Sequence, residues 1–232
     1  MLPTMNISFN NKIVLITGSS RGIGSQLASD FRSLGANVIS LSSSDYDLSV
    51  SGDIEKLVQY IDQLEKVDVC INNAGINRIE HFEKIPERDY DDIMMVNVKA
   101  PFKISQAVSK KMMHHKYGRI INITSIFGHN TRAMRACYTT SKYALTGMTK
   151  TLAVEMARYN VLVNSVAPGF TKTELTENIL GKVGMEEVSA ELPIRRLADP
   201  EEISKAVLFL SSDLNTYITG QNIFVDGGFT CV

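Results

Sequence analysis

Apolar positions along this chain fall into short unbroken runs that alternate with longer stretches of helical period. Residues 12–17 (Lys-Ile-Val-Leu-Ile-Thr) form a run rich in β-branched residues, the pattern of a strand covered on both faces. A turn punctuated by glycines follows, and then Ile23, Leu27, Phe31 and Leu34 recur at helical spacing until Gly35 stops them. Strand-like runs return at 36–41, 67–72, 118–124, 161–167 and 222–226, with helical stretches near 89–113, 136–158 and 200–211. Strand and helix in alternation predict a mostly parallel sheet with helices on both sides, the doubly wound α/β class. No internal repeat or linker interrupts the pattern, so a single domain is expected over 1–232. One crossover is lean. The residues between Leu41 and Ser49 are too few for a strand, a helix and another strand, so a bare loop is expected there, with a stub of strand at 46–48.

Composition narrows the classes of function. Lysine and arginine (24) nearly balance aspartate and glutamate (25), leaving a net charge of −1 and no broad field for nucleic acid or an anionic membrane. Cys70, Cys137 and Cys231 share no metal or redox spacing, and their odd number argues against a disulfide framework. A reducing, cytoplasmic setting is expected. His81, His114, His115 and His129 show no ligand pattern, so no metal site is expected. No apolar run approaches the roughly 20 residues of a membrane-spanning helix. Residues 1–11 lack the basic and apolar blocks of a secretory leader.

Two stretches carry chemistry. Thr17-Gly18-Ser19-Ser20-Arg21-Gly22-Ile23-Gly24 comes straight after the first strand and opens the first helix. Glycines let the backbone turn sharply and approach a ligand, while free N–H groups and the helix dipole favour a pyrophosphate. At that position the turn reads as a dinucleotide cradle. The charge at the end of the second strand decides which dinucleotide. Ser42, Ser43 and Ser44 carry none, and Arg21 offers a cation to a 2′-phosphate, so NADP(H) is favoured over NAD(H). Asp45 is the counter-signal, because the short loop lets its carboxylate swing back to a ribose hydroxyl.

The second stretch is Tyr138-Thr139-Thr140-Ser141-Lys142. On a helix, positions i and i+4 share a face, and an ammonium beside a phenol pulls its pKa down from about 10, toward useful proton transfer. Two unrelated residues on a half-exposed helix would give the same spacing, but this pair does not stand alone. Pro101 lies four residues after Asn97 in a helical run, so the Asn97 carbonyl lacks its usual partner and is free to hold a water.

With the glycine turn, Asn72-Asn73-Ala74-Gly75, Asn97, Ser125 and the Tyr138/Lys142 pair in this order, the chain resembles the short-chain dehydrogenase/reductase family from about Lys12 to its end. The resemblance implies a Rossmann-type sheet in the order 3-2-1-4-5-6-7, a nicotinamide cofactor, and hydride transfer to or from a carbonyl or alcohol carbon. It makes Tyr138 the proton donor in reduction, Ser125 the hydrogen-bond donor to the substrate oxygen, and Asn97 the holder of a relay water. Lys142 then lowers the Tyr138 pKa and binds the nicotinamide ribose.

Further cofactor contacts carry over from the same resemblance. Gly18, Ser20, Arg21 and Ile23 belong to the pyrophosphate cradle. Asp47-Leu48 matches the adenine-binding pair, and Asn73, Ala74 and Gly75 the segment beside the adenosine ribose, with Asn72 read as structural. Pro168-Gly169 and Thr171 match the turn at the nicotinamide. Residues 171–193, with two glycines and no strong period through the middle, match the substrate lid, mobile until ligand binds. The family's habit of forming homotetramers through its long central helices and C-terminal strand makes a tetramer the expected assembly, with Ala100, Ile104, Val108, Leu145, Met148, Leu152 and Met156 as apolar faces on those helices.

The endings Tyr217–Gly228 and Leu192–Ile203 are most like the 3-oxoacyl-(acyl-carrier-protein) reductase branch. That branch docks its acidic partner through two arginines, where this chain has Lys116 and Tyr159. The leading expectation is therefore an NADP(H)-dependent enzyme reducing a carbonyl to a secondary alcohol, with a 3-oxoacyl thioester as one substrate class and acyl carrier protein as a partner. A reductase or dehydrogenase of a nucleotide-linked sugar or small alcohol with NAD(H) stays open, as does a non-catalytic NADPH sensor. Arg132 and Arg135, between Ser125 and Tyr138, read either as a solvated basic face or as a site for an anionic substrate such as a phosphopantetheine thioester or a nucleotide-linked sugar.

Overall fold

The computed structural model describes residues 6–232; residues 1–5, where the expected domain and the stretch read for a leader both begin, lie outside the described residues. Five of the expected runs become β1 (Ile13–Thr17), β2 (Asn37–Leu41), β3 (Val69–Asn72), β4 (Gly118–Ile123) and β5 (Val161–Pro168), and the sixth becomes β6 (Asn222–Val225). They form one parallel sheet in the order β2-β1-β3-β4-β5-β6. Between them run α1 (Gly22–Ser33), α2 (Ser51–Gln63), α3 (Glu87–Met94), α4 (Ala100–His115), α5 (Ala136–Met156), α6 (Glu174–Glu191) and α7 (Pro200–Ser211).

Alternation along each strand divides the core between two layers. Val14 and Ile16 of β1 join Leu27 and Phe31 of α1 and Ile203 and Val207 of α7 on one face. Leu15, between them, joins Leu57 of α2, Ile104 and Met112 of α4, and Ala153 and Met156 of α5 on the other. Every residue of β3, β4 and β5 is buried, which explains their unbroken apolar runs. The polar residues that interrupt those runs bond one another. Asn72 Nδ2 donates to Asn122 Oδ1 (2.8 Å) and Ser105 Oγ (3.0 Å), and Asn122 Nδ2 donates to Thr149 Oγ1 (2.8 Å). This buried chain ties β3 and β4 to α4 and α5 just below the rim where Ser125 and Tyr138 emerge, so Asn72 is structural.

One expectation is corrected here, and two segments gain structural detail. The seven-stranded order loses its outermost strand, because residues 46–48 form no ladder. Asp45 Oδ2 accepts the Ser42 N–H, and Asp47 Oδ1 accepts the Ser49 N–H and hydroxyl, so local bonds bend the loop into successive turns. The segment 171–193 is mostly regular: α6 fills it, started by Thr173 Oγ1 accepting the Thr176 N–H and kinked at Gly181, whose φ is 64°. Only Val188 of α6 is buried, which is why its sequence shows no apolar stripe. Finally, Ala100, Ile104, Val108, Leu145 and Met156 are core residues. The apolar side chains that α4 and α5 turn outward are Phe102, Tyr143 and Val154.

Among the described residues, no helix is long and apolar enough to cross a membrane, and no cluster of three His, Cys, Asp or Glu could hold a metal ion.

Candidate active site

Parallel strands end on one rim, and the chain leaves β1 and β3 toward opposite sides of the sheet. The gap between those two exits is the topological switch point where such sheets bind ligands. A cleft of about 340 Å³ opens there. Its lining includes Gly18, Ser20, Arg21, Ile23, Ser42, Ser43, Asp47, Leu48, Asn73, Ala74, Gly75, Ser125, Tyr138, Lys142, Pro168, Gly169 and Thr171. Of the candidate catalytic and cofactor-binding residues, Asn97 alone stands behind the wall, while Asp45, Arg132 and Arg135 are not part of the lining.

The glycine turn is held by contacts that admit no side chain. A Cβ on Gly18, whose φ is +66°, would lie 2.8 Å from the Ala74 Cα, and one on Gly24 would lie 2.1 Å from the Gly18 carbonyl oxygen. Asn73 fastens the turn: its Nδ2 donates to the carbonyls of Thr17 (3.0 Å) and Gly18 (2.9 Å). Thr17 Oγ1 accepts the N–H groups of Asn73 and Ala74, both at 3.1 Å. Asn73 is thus a strut whose amide nitrogen is spent on the protein itself. Helix α1 has no side-chain cap and no acidic residue in its first turn, whereas α7 begins with a full capping box. Uncapped N–H groups above a turn that excludes side chains fit a dinucleotide's pyrophosphate.

At the adenosine end, the structure redistributes charge. Asp45 Oδ2 accepts from the N–H (2.8 Å) and hydroxyl (2.7 Å) of Ser42, which hold its pKa below the usual carboxylate value. The carboxylate therefore sits at the end of β2, the place where a free ribose hydroxyl is read. Arg21 is engaged across the cleft with Glu174 of α6 (3.0 Å), both side chains well exposed. Asp47 lines the cleft with Oδ1 already bonded to Ser49, and Leu48 points into the core.

At the other end, Tyr138 and Lys142 share one face of α5, with the Lys142 ammonium 5.5 Å from the phenol ring centre. Lys142 is buried and donates to the Ile123 carbonyl (2.8 Å); burial pulls its pKa down to about 8. The expected effect on the phenol is not observed. Burial raises the Tyr138 pKa, opposed by a hydrogen bond with Ser125 and by the charge of Arg135, with no contribution from Lys142. The phenol therefore stays protonated at neutral pH. Ser125, at the tip of β4, also accepts the Phe127 N–H, which fixes its side chain beside the phenol. A carbonyl placed here would meet two hydroxyl donors, one of them able to give up its proton.

Asn97 lies in a π-helical turn, Met95–Lys99, where the Ala100 N–H bonds the Met95 carbonyl. Pro101 follows within the first turn of α4, and the widened helix accommodates the missing donor. The Asn97 side chain is itself fully engaged, because Nδ2 donates to Ile76 O (2.9 Å) and Ser141 Oγ (3.0 Å) while Oδ1 accepts the Ile76 N–H (2.9 Å). It clamps the strand exit carrying Gly75 to the helix carrying Tyr138. Thr171 Oγ1 likewise donates to Gly169 O (3.1 Å) and shapes the turn after β5.

Residue patterns alone did not single out Ile76, Tyr46, Thr173 or Glu174, which also line the cleft. None carries a motif; α6 brings two of them there. Thr17, notable in the sequence only as the start of the glycine turn, turns out to be the acceptor on which both facing N–H groups rely.

The depressed Lys142 pKa has a measurable consequence. In the unfolded chain the ammonium holds its proton up to about 10.5, so between pH 8 and 10.5 the unfolded state binds more protons and stability rises with pH. Urea denaturation without cofactor should show the stability of K142M relative to wild type falling over that range, by roughly 3 kcal/mol at ~1.4 kcal/mol per pKa unit. A constant difference would mean that Lys142 titrates normally.

A family model described as Enoyl-(Acyl carrier protein) reductase matches residues 42–230. The 3-oxoacyl-(acyl-carrier-protein) reductase of Rickettsia bellii is 37% identical over 241 residues, covering 97% of this chain and 100% of that protein. The enzyme of the same name from Aquifex aeolicus is 36% identical over 247 residues, covering 97% and 99%. Among solved structures, a gluconate 5-dehydrogenase from Burkholderia cenocepacia, in complex with NADP and tartrate, superposes with a TM-score of 0.89 at 27% identity, covering 97% of each chain. Full-length likeness to these oxidoreductases, joined to a dinucleotide cradle and a Ser-Tyr-Lys cluster on one rim, places the chain in the short-chain dehydrogenase/reductase family.

Proposed function

We propose that this protein uses NADPH to reduce the carbonyl of a 3-oxoacyl compound to a secondary alcohol. The observation that carries the reaction type is the protonated Tyr138 phenol beside Ser125, a donor pair set for an oxygen gaining negative charge. The curated relatives support the 3-oxoacyl group, since they are named for it. A cofactor bound in the cleft would supply hydride to the carbonyl carbon. Gly18, Ser20 and Ile23 would hold its pyrophosphate, Asp47 its adenine, Ala74 and Gly75 the adenosine side, and Pro168, Gly169 and Thr171 the nicotinamide side. Tyr138 gives its proton to the nascent alkoxide while Ser125 orients the oxygen. Lys142 would hold the nicotinamide ribose, and Asn97 would position the water through which the proton is replaced. Helix α6 acts as the lid.

A second reading, interconversion of a sugar acid and its keto form, is favoured by the gluconate dehydrogenase among the structural relatives. A carrier-protein thioester is the weaker form of the first reading, because Lys116 and Tyr159 replace the paired arginines of that docking site. The unpaired cysteines accord with a reducing cytoplasm. Phe102 and Val154, exposed on α4 and α5, support a homotetramer assembled through those helices.

Following NADPH absorbance against 3-oxoacyl thioesters, free oxo acids, keto sugars and simple ketones should reveal a reducible class. Y138F should bind NADPH normally and lose turnover by ~10²-fold or more; unchanged turnover would remove the assigned acid and leave a nucleotide sensor. Wild type should prefer NADPH to NADH through Arg21, with Ser42 and Ser43 at the 2′-phosphate. D45N, which removes a negative charge from that place, should widen the preference several-fold in KM; a wild-type preference for NADH would reverse the cofactor assignment. Light scattering should give the mass of four chains, and V154R should lower it; a wild-type monomer would refute the assembly.

A further inference from the structure

Arg135 is the residue just before α5, three positions ahead of Tyr138, and only 8% of its surface is exposed. A buried guanidinium ordinarily has its donors satisfied by carbonyls or by a carboxylate. The other deeply buried arginine, Arg119, donates from both terminal nitrogens to the carbonyls of Gly118, Asn160 and Asn215, leaving only Nε without a partner. Arg132, close by in sequence, is paired with Glu191 of α6. Arg135 forms neither kind of contact among the described residues. Its guanidinium carbon lies 5.4 Å from the centre of the Phe127 ring, which attracts a cation without neutralising it. Tyr138 packs edge-on against the same Phe127, with ring centres 6.4 Å apart. A mostly buried charge with no hydrogen-bonded partner, its nitrogens still in contact with solvent, therefore stands beside the proton donor, at a position the reaction described above does not use.

We propose that Arg135 recognises a carboxylate carried by the substrate itself, close to the carbonyl that Tyr138 and Ser125 address, so that the substrate class is small oxo acids taken as free acids. The proposal rests on the reductase reading of the site. It also replaces the sequence expectation of a phosphopantetheine thioester or nucleotide-linked sugar. The phosphates of either lie many bonds from the reacting carbon, whereas Arg135 and the phenol flank one phenylalanine ring. Planar, forked donors in a site of low polarity suit a carboxylate, and a neutral ester of the same acid would leave the cation unpaired.

The experiment compares acetoacetate with its methyl ester under NADPH, in wild type, R135M, R135K and Y138F. Wild type should turn over the acid with a kcat/KM ~10²-fold above the ester. R135M should lose that advantage, mainly through KM, while reducing the ester within a few-fold of wild type. R135K should recover part of the preference. Equal slowing of acid and ester in R135M would mean that Arg135 acts only through the phenol or the fold, and would overturn the assignment. So would a wild-type enzyme that shows no preference for the acid or reduces neither compound. Y138F separates the two readings: if it keeps full turnover the reductase reading fails, and if it is inactive while R135M keeps the preference for the acid, only the carboxylate assignment fails.

Discussion

The close approach of the turn after β1 to the exit of β3 is the contact on which the site depends. Gly18 lies against the Ala74 backbone with no room for a side chain, and Asn73 and Thr17 anchor four hydrogen bonds across the gap. Those bonds satisfy backbone groups that would otherwise be stranded between diverging strands. They also leave the first N–H groups of α1 pointing at open space. A cradle for an anion is the by-product of bracing two strand ends against each other.

A second constraint acts from below the rim. The buried amide chain through Asn72 and Asn122, with Ser105 and Thr149, locks the register of β3 and β4 to α4 and α5. Asn97 makes the corresponding link one layer higher, between Ile76 and Ser141. Networks of this kind are costly when incomplete, and here each amide is bonded on both ends. The reward is positional: Ser125 and Tyr138 come from different elements yet meet, and Lys142 is held against the Ile123 carbonyl rather than left to find solvent.

Electrostatics at the site run against simple pairwise reasoning. Proximity of an ammonium to a phenol suggested a lowered Tyr138 pKa, but both groups are taken out of water, and desolvation moves them in opposite directions, the phenol up and the ammonium down. A phenol that keeps its proton is matched to the reductive direction. The same low polarity gives the unpaired Arg135 its leverage, since a charge screened by little water acts strongly on the first anion to reach it.

Strand and helix alternation, the parallel sheet, the glycine turn and the Tyr138/Lys142 pair were legible from residue types, because each follows from period, from backbone freedom, or from spacing on one helix face, whereas Ser125 came only from the family resemblance. The bare crossover at 42–48 was legible too, from length alone. What the one-dimensional pattern did not contain was anything set by contacts between distant segments. Helix α6 buries one side chain, so it carries no stripe, and only its docking brings Glu174 to Arg21. Asn73, read as a ligand contact, also braces the turn as a strut, and only the fold shows that Glu191 pairs with Arg132 while Arg135 has no such partner. Local chemistry named the groups, and burial, which only the folded chain defines, decided which of them remained charged, paired or free.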